Sequence, residues 1–267
     1  MTRGGFCVTA ESMTSLGTQL CSVCKRQFSF IRRSLHTHLD MCSPQHKKVI
    51  SLTQSDWADH VQVACKSLKQ NNLIAVPTDT IYGIAGLAQS TLAVHSIYEI
   101  KQRRLSNPIS ISVGDVSQVS KWGKVTIPKE LLEELLPGPV TVVFERTVAL
   151  NPALNPGTSL VGIRVPDDGF VQEVALSCGE PLALTSANVS GAASTLSVME
   201  FENLWPQLDL VFDGGVLGNN TQSRAGSTVV DLSNPGVFTI LRPGMAHERT
   251  KSLLEKYGLT EKVEDSS

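Results

Sequence analysis

The chain has 267 residues, of which 41% are hydrophobic and 18% are charged, and its formal net charge is −2. This length supports one large domain, or one domain with an appendage, and the composition excludes collagen-like, disordered and coiled-coil proteins. The sequence has no apolar run of the roughly 18 residues that a membrane-spanning helix requires, so we expect a soluble protein with no membrane span.

Charge and cysteine are unevenly distributed. Residues 1–50 contain seven basic residues against two acidic ones, a net charge of +5, so the remaining chain carries −7. Only Cys65 and Cys178 lie outside this segment, which predicts an intracellular body without a disulfide framework. We therefore divide the chain into a basic N-terminal segment, 1–50, a main domain, 51–250, and a C-terminal tail, 251–267, which we expect to fray from Leu259 onward.

Two hypotheses compete for residues 1–50. The segment is poor in acidic residues, rich in Ser and Thr, and mixes Arg with apolar residues, which is typical of a transit peptide. Alternatively, Cys21, Cys24, His38 and Cys42 form a structural Zn²⁺ site, because their order resembles a C2H2-type zinc finger. The last ligand is Cys, and thirteen residues separate Cys24 from His38, one more than that motif usually has. Both hypotheses remain open.

After residue 51 the sequence alternates between helical and strand-like patterns. The predicted helices cover 55–71, 91–101 and 128–136. The predicted strands cover 73–77, 109–113, 140–146, 160–165, 182–185, 210–213, 228–232 and 237–241. Ser233-Asn234-Pro235-Gly236 is a turn signal short enough for a hairpin between the last two strands. We therefore predict a single α/β domain with a twisted mixed (parallel and antiparallel) sheet flanked by helices.

Polar residues occur where the predicted strands end, which is where ligands bind in open α/β sheets. They are Thr78-Asp79-Thr80, Arg164, Ser186-Ala187-Asn188 and Arg242. Lys101 and Arg103, which we expect to be solvent-facing cations, precede Asn107-Pro108. Taken singly, these are ordinary cap and turn residues. Together they predict a cationic, hydroxyl-lined pocket for an anionic small molecule, because Arg binds phosphate or carboxylate with a two-pronged fork.

The segment Pro77-Thr-Asp-Thr-Ile-Tyr-Gly83 resembles the opening motif of the YrdC family, the threonylcarbamoyl-AMP synthases. The resemblance continues in order through Lys101-x-Arg103, Asn107-Pro108, Leu136-Pro-Gly-Pro-Val-Thr141, Val161-Gly-Ile-Arg164-Val-Pro166, Thr185-Ser-Ala-Asn188-Val-Ser-Gly191, Gly226-Ser-Thr-Val-Val-Asp231 and Leu241-Arg-Pro-Gly244. Eight blocks in register between residues 57 and 245 are far more specific than any one of them. The pattern is similar to the short form of the family, which lacks an extra C-terminal domain.

This resemblance implies a nucleotidyltransferase that condenses L-threonine, bicarbonate and ATP to threonylcarbamoyl-adenylate and pyrophosphate. Mg²⁺ would accompany ATP and bridge its phosphates. The product would pass to a separate tRNA threonylcarbamoyl-transferase complex, which modifies the adenine beside the anticodon. Contact of this chain with tRNA is not required for the implied reaction.

The resemblance also implies roles for individual residues. Threonine would be bound by Thr80, Arg164, Ser186 and Ser227, with its carboxylate on Arg164. ATP would be bound by Arg103, Asn107, Asn188, Ser194 and Arg242. The catalytic signature would be Lys101 with Arg103 and Ser186 with Asn188, placed around the phosphates. Two positions depart from the family pattern: Gln102 replaces a frequent Gly, and Ser112 stands where archaeal-type relatives often have His. The role of Asp79, as a metal ligand or a turn cap, stays open.

Two other functions compete with the synthase. A non-catalytic RNA-binding protein of the same fold would show salt-sensitive RNA affinity without ATP consumption, but the charge of −7 on the body favours the enzyme. Carbamoyl transfer from another donor, as in larger hydrogenase-maturation proteins, would need a further catalytic domain. We expect cytoplasmic and mitochondrial localisation, with initiation at Met1 or Met13 supplying the two pools.

Overall fold

The computed structural model describes residues 48–53, 56–102, 107–218 and 222–262. These residues all belong to one compact unit. The candidate zinc ligands Cys21, Cys24, His38 and Cys42 lie outside the described residues, so the two hypotheses for the N-terminal segment stay predictions. Arg103 also lies outside them.

Strands and helices alternate along the described chain. The strands are β1 (Lys48–Ser51), β2 (Ile74–Val76), β3 (Gly83–Leu87), β4 (Ser110–Ser112), β5 (Gly123–Lys124), β6 (Val140–Arg146), β7 (Leu160–Arg164), β8 (Leu182–Ser186), β9 (Leu210–Asp213), β10 (Thr228–Asp231), β11 (Val237–Arg242) and β12 (Thr260–Glu261). The α-helices are α1 (Trp57–Lys69), α2 (Thr91–Ile100), α3 (Val119–Trp122), α4 (Lys129–Leu135), α5 (Gly169–Cys178) and α6 (His247–Lys256). Short 3-10 turns cover Val116–Gln118, Val198–Gln207 and Gln222–Ala225.

The strands form one mixed sheet, as predicted. Their order is β1-β9-β2-β3-β8-β4-β7-β6-β10-β11-β12, and β5 pairs with β6. Pairs such as β4 with β7 and β6 with β10 are parallel, whereas β3 with β8 and β6 with β7 are antiparallel. β10 and β11 form the antiparallel pair that the turn signal predicts.

The two faces of the sheet carry different hydrophobic clusters. Along β2, Ala75 belongs to the larger cluster while Ile74 and Val76 belong to the smaller one, because successive side chains of a strand point to opposite faces. The smaller cluster includes buried residues of α1 and α5. The aromatic rings of Trp57 in α1 and Phe170 in α5 make an edge-to-face contact. These two helices cover one part of their face of the sheet.

Helix α1 confirms one predicted helix with shorter ends. Its buried side chains include Val61, Ala64 and Leu68, which recur at the spacing of one helical face. The helix ends before Asn71, whose φ of 64° is left-handed, a conformation that Asn adopts more readily than most residues. A left-handed residue cannot continue an α-helix, so Asn71 marks the point beyond which the chain leaves the helix.

Several elements were not predicted from the sequence. The sequence predicts no strand between the strand 73–77 and the helix 91–101, but β3 lies there, is fully buried and pairs with both β2 and β8. Helix α5 was also missed; Asp168 caps it through Oδ1, which accepts the backbone N–H of Val171. The expectation that the chain frays from Leu259 is wrong up to Glu261, because β12 pairs in parallel with β11 and Leu259 is buried.

Among the helices in the described ranges, none combines the length and apolar character needed to cross a membrane.

Candidate active site

A cavity of about 690 Å³ lies on the face of the sheet that α1 and α5 only partly cover. Its walls come from seven strands that are neighbours in the sheet, β3, β8, β4, β7, β6, β10 and β11. Leu184 belongs to the cluster beneath the two helices and also lines the cavity, which places the cavity beside them. The predicted site residues Arg164, Ser186, Ser227 and Arg242 are part of its lining.

The loop after β2 is shaped by one threonine. The Oγ1 atom of Thr78 accepts the backbone N–H groups of Thr80 and Ile81 and donates to the carbonyl of Ile81 at 2.7 Å. A Ser or Thr hydroxyl that bonds its own following backbone in this way stabilises a turn. The turn fixes Thr80, which is 2% exposed, against the end of β7.

Arg164, the last residue of β7, meets this turn in a buried polar cluster. Its Nη2 atom donates to Thr80 Oγ1 at 2.9 Å and forms an ion pair with Asp79 Oδ1. Burial lowers the pKa of Arg164; the Asp79 carboxylate opposes this effect, and the nearby charge of Arg242 adds to it. Asp79 therefore serves Arg164 as counter-ion, a role that is neither of the two alternatives from the sequence, metal ligand and turn cap.

Three buried polar atoms in this cluster have no hydrogen-bond partner among the described residues. They are Arg164 Nε, Asp79 Oδ2 and the hydroxyl of Ser112, which lies opposite Arg164 in the register of β4 and β7. Of the residues that carry these atoms, Arg164 lines the cavity. An unpaired buried polar group costs about 1–3 kcal/mol, so a ligand or water that bonds to Arg164 would be favoured. The cluster is therefore suited to binding a polar molecule.

Lys101 is not the solvent-facing cation that the sequence led us to expect, because it is 2% exposed. Its Nζ atom donates to the carbonyl oxygens of Ser186 and Asn188 at 2.7 and 2.6 Å, and to Asn188 Oδ1 at 2.7 Å. Ser186 Oγ in turn donates to Asn188 Oδ1 at 2.5 Å. The Lys and the Ser-x-Asn segment of the predicted catalytic signature are thus brought together, with the ammonium holding the loop after β8.

A second polar group lines the same cavity, where β10 begins and β11 ends. Arg242 Nη2 donates to the carbonyl oxygen of Ser227 at 2.9 Å and to its hydroxyl at 3.1 Å. A Cβ atom at Gly244 would overlap the backbone of Ser227 and Thr228, so only glycine lets the Arg-Pro-Gly turn approach this closely. The close approach explains why the Gly-Ser-Thr and Arg-Pro-Gly blocks occur together.

The body of the chain matches one protein family over most of its length. The Sua5/YciO/YrdC family model, described as "Telomere recombination", matches residues 66–244. The chain belongs to the Sua5/YciO/YrdC family. This membership confirms the family that the eight sequence blocks predict.

Relatives in this family carry names and folds that agree with the prediction. The chain is 50% identical to the threonylcarbamoyl-AMP synthase of Mus musculus over 209 residues, which are 77% of this chain and 75% of that protein. It is 48% identical to the Homo sapiens protein of the same name over 77% of this chain and 75% of that one. Pyrococcus abyssi Sua5 complexed with L-threonine has a TM-score of 0.69 at 26% identity, covering 80% of this chain and 61% of that chain. This structural match confirms the predicted α/β fold.

Within this Sua5/YciO/YrdC domain, the predicted nucleotide residues are more dispersed than the predicted threonine residues. Asn107 is exposed beside Pro108, which lines the cavity, and Asn188 is buried against Lys101. Ser194 is half-buried outside the lining, and its carbonyl oxygen accepts a hydrogen bond from Arg224. The roles of these residues in ATP binding stay predictions.

Two residues that support the cavity were missed by sequence reasoning. Asn155 is 1% exposed, and its side chain bonds both the N–H and the carbonyl of Ile109, at 2.7 and 2.8 Å, as a neighbouring strand would. Tyr82 donates to the carbonyl of Gly215 at 2.7 Å, and burial raises its pKa above the ordinary value. The Asn-Pro-Gly signal at 155–157 predicts a turn, but it contains no sign that the amide is buried.

Proposed function

We propose that this chain is a threonylcarbamoyl-AMP synthase, which condenses L-threonine, bicarbonate and ATP to threonylcarbamoyl-adenylate, pyrophosphate and water. One observation carries the proposal: two cationic groups, Arg164 with Thr80 and Arg242 with Ser227, face one cavity at positions that the family pattern reserves for the substrates. The names of relatives that are 48–50% identical agree with it.

The threonine side of the reaction is best served by the Arg164 cluster. A carboxylate placed there would meet a buried guanidinium, and charge-assisted hydrogen bonds of this kind are among the strongest in proteins. The hydroxyls of Thr80, Ser186 and Ser227 belong to the hydrogen-bond networks of the same region and would orient the amino acid. Recognition of the threonine hydroxyl by such groups rejects an analogue that lacks it, because the buried partners would be left unpaired.

The chemistry that follows needs alignment and charge neutralisation rather than a protein nucleophile. The threonine amine and bicarbonate combine to a carbamate with loss of water. A carbamate oxygen then attacks the α-phosphorus of ATP, and the bond from that phosphorus to pyrophosphate breaks. Arg242 and, from the sequence pattern, Arg103 would neutralise phosphate charge, while Lys101 acts by holding Ser186 and Asn188 in place.

Mg²⁺ fits this site as a partner of the phosphates. The described ranges contain no cluster of three His, Cys, Asp or Glu residues that could hold a metal ion. Mg²⁺ typically binds through one or two carboxylates together with substrate phosphates and water. Asp79 is the buried counter-ion of Arg164 and is not part of the cavity lining, so the ion would be held chiefly by the phosphates and water. When bound, the ion would neutralise charge on the triphosphate.

We also propose the wider setting that the family pattern implies. The product passes to a tRNA threonylcarbamoyl-transferase complex, with no need for this chain to bind tRNA itself. Cytoplasmic and mitochondrial pools of the protein supply tRNA in both compartments. Imaging of the tagged full-length chain tests this localisation, and exclusive residence in one compartment would contradict it.

Pyrophosphate release by the full-length protein, without RNA, tests the proposed activity. We expect release only when ATP, Mg²⁺, L-threonine and bicarbonate are all present, and loss of the signal when either threonine or bicarbonate is omitted. Salt-sensitive RNA binding with no pyrophosphate release would instead favour the non-catalytic alternative.

A further inference from the structure

Thr141 is a buried residue of β6 that no substrate role explains. It is 4% exposed, it lines the cavity, and its Oγ1 atom lies 2.8 Å from Oγ of Ser227. A Cβ atom at Gly162 on the neighbouring strand would come within 3.1 Å of the Thr141 methyl group, so that methyl packs against the glycine. This packing, together with the stiffness of a β-branched side chain, directs the hydroxyl of Thr141 toward Ser227.

Two groups hydrogen-bond to the Ser227 hydroxyl, Arg242 and Thr141, and together they restrict where its proton can point. A guanidinium has no lone pair to offer, so Arg242 must donate to Ser227 Oγ. The Thr141 and Ser227 hydroxyls share one further hydrogen bond, in which either atom is the donor. When Thr141 donates, the Ser227 oxygen accepts two hydrogen bonds, and its own O–H is left to point into the cavity.

We propose that Thr141 is a positioning residue that donates to Ser227 and so aims the Ser227 hydroxyl at a carboxylate oxygen of threonine. Acceptance of two hydrogen bonds also polarises the Ser227 O–H and makes it a better donor to an anion. This inference rests on the proposed synthase function. Thr141 acts through Ser227 and does not itself contact the substrate.

Calorimetric binding of L-threonine to the full-length protein, followed by steady-state kinetics, tests this role. Thr141→Val keeps the shape and removes the hydroxyl, and we expect the Kd and KM for threonine to rise about two- to tenfold, the loss typical of one hydrogen bond. The KM for ATP should stay within about twofold of the wild-type value. Thr141→Ser, which restores a hydroxyl, should recover most of the threonine affinity.

A double-mutant comparison separates positioning from direct contact. If Thr141 acts through Ser227, the variant Thr141→Val/Ser227→Ala binds threonine no more weakly than Ser227→Ala alone. Additive losses would overturn the positioning role and indicate direct contact between Thr141 and substrate. Thr239→Val is the matched control, because Thr239 lies on β11 with its hydroxyl bonded to the carbonyl of Lys262. Its threonine affinity should equal that of wild type.

Measurements on the wild-type protein separate the role of Thr141 from the synthase function itself. Wild-type protein that binds no threonine and releases no pyrophosphate would remove the synthase function itself. Wild-type protein that binds threonine, with Thr141→Val binding equally well, would leave the synthase and overturn the role of Thr141. Unchanged thermal unfolding of Thr141→Val would show that an affinity loss is not a folding defect.

Discussion

At the scale of single residues, Lys101 shows how burial changes the meaning of a charged side chain. A cation in water can be removed with little effect on folding, whereas a buried ammonium that satisfies carbonyl oxygens cannot. Lys101 holds Ser186 and Asn188 through hydrogen bonds of 2.6–2.7 Å. It is therefore part of the structure of the site as well as a source of positive charge.

Replacement of this ammonium tests that conclusion. We expect Lys101→Met to lower the free energy of unfolding by about 1–3 kcal/mol, because buried acceptors lose their donor, and to lower turnover as well. Urea denaturation measures the first effect. Lys129→Met, at a lysine whose side chain is 80% exposed, should stay within about 0.5 kcal/mol of wild type. An unchanged unfolding midpoint for Lys101→Met would contradict the structural role.

The buried ion pair between Arg164 and Asp79 can be tested in the same way. Arg164→Gln leaves the Asp79 carboxylate buried without its counter-ion, and breaking a buried pair in this way costs about 3–5 kcal/mol. The double variant Asp79→Asn/Arg164→Gln should recover part of that stability, because it buries no unpaired charge. In the double variant we expect threonine binding to fall much more than ATP binding, as calorimetry can measure. Equal losses for the two ligands would show that Arg164 is assigned wrongly.

At the scale of elements, the cap of α5 gives a pH-dependent prediction. Burial raises the pKa of Asp168, with the backbone N–H of Val171 opposing the shift and the Asp79 charge adding to it. A carboxyl group whose pKa is raised by folding stabilises the protein below its unfolded pKa, about 3.9, and this contribution is lost as pH rises through the folded value. Asp168→Asn keeps the capping oxygen but cannot titrate.

The unfolding free energy of wild type relative to Asp168→Asn should therefore fall as pH is raised from about 3.9, and then level off. Urea titrations of both proteins at a series of pH values measure this difference. A difference that rises with pH over the same range would mean that the carboxylate, rather than the neutral acid, is favoured by the fold.

The turn between β11 and α6 gives a prediction about close packing. Gly244→Ala would force a methyl group into the backbone of Ser227 and Thr228, and such overpacking costs about 1–3 kcal/mol. The displaced turn would move Arg242, so we expect weaker ATP binding and a lower melting temperature. Gly169→Ala is the control, because its Cβ would meet only the ring of Trp57, at 3.4 Å. Wild-type ATP affinity in Gly244→Ala would show that the close approach is not needed.

Strands with a clear apolar pattern could be predicted from the sequence, whereas strands built from small residues could not. Strands such as β6 have continuous apolar, β-branched runs, and these were found. β3 has the sequence Gly-Ile-Ala-Gly-Leu, in which small residues hide the strand pattern; a Cβ at Gly83 would meet Leu184 and one at Gly86 would meet Leu73. The small residues are required by close packing between neighbours distant in sequence, which no local pattern reveals.

The same limit applies to the site. Arg164, Ser186 and Arg242 could be predicted to lie together, and all three line the cavity. Each follows or ends a predicted strand, and the ends of strands can be located from the sequence. The burial of Lys101 and the backbone bonds of Asn155 depend on segments separated by many residues, so they required the three-dimensional structure.

For the whole molecule, the charge distribution and the cavity both favour small anionic substrates over nucleic acid. The chain beyond residue 50 carries a net charge of −7, so general attraction to nucleic acid is weak, whereas two arginines are concentrated on one cavity. An acidic body with a local cationic cavity suits small anionic substrates better than an RNA backbone. We therefore propose that this cavity makes an adenylate from threonine and bicarbonate.

The decisive test of this activity is mass spectrometry of the product that the full-length protein forms, without RNA, from ¹³C-bicarbonate, L-threonine, ATP and Mg²⁺. We expect threonylcarbamoyl-adenylate whose mass shifts with the isotope. Its yield should fall sharply in the Arg164→Gln variant and in the Asp79→Asn/Arg164→Gln double variant. An adenylate that carries no label, or labelled product at wild-type yield in both variants, would contradict this proposal.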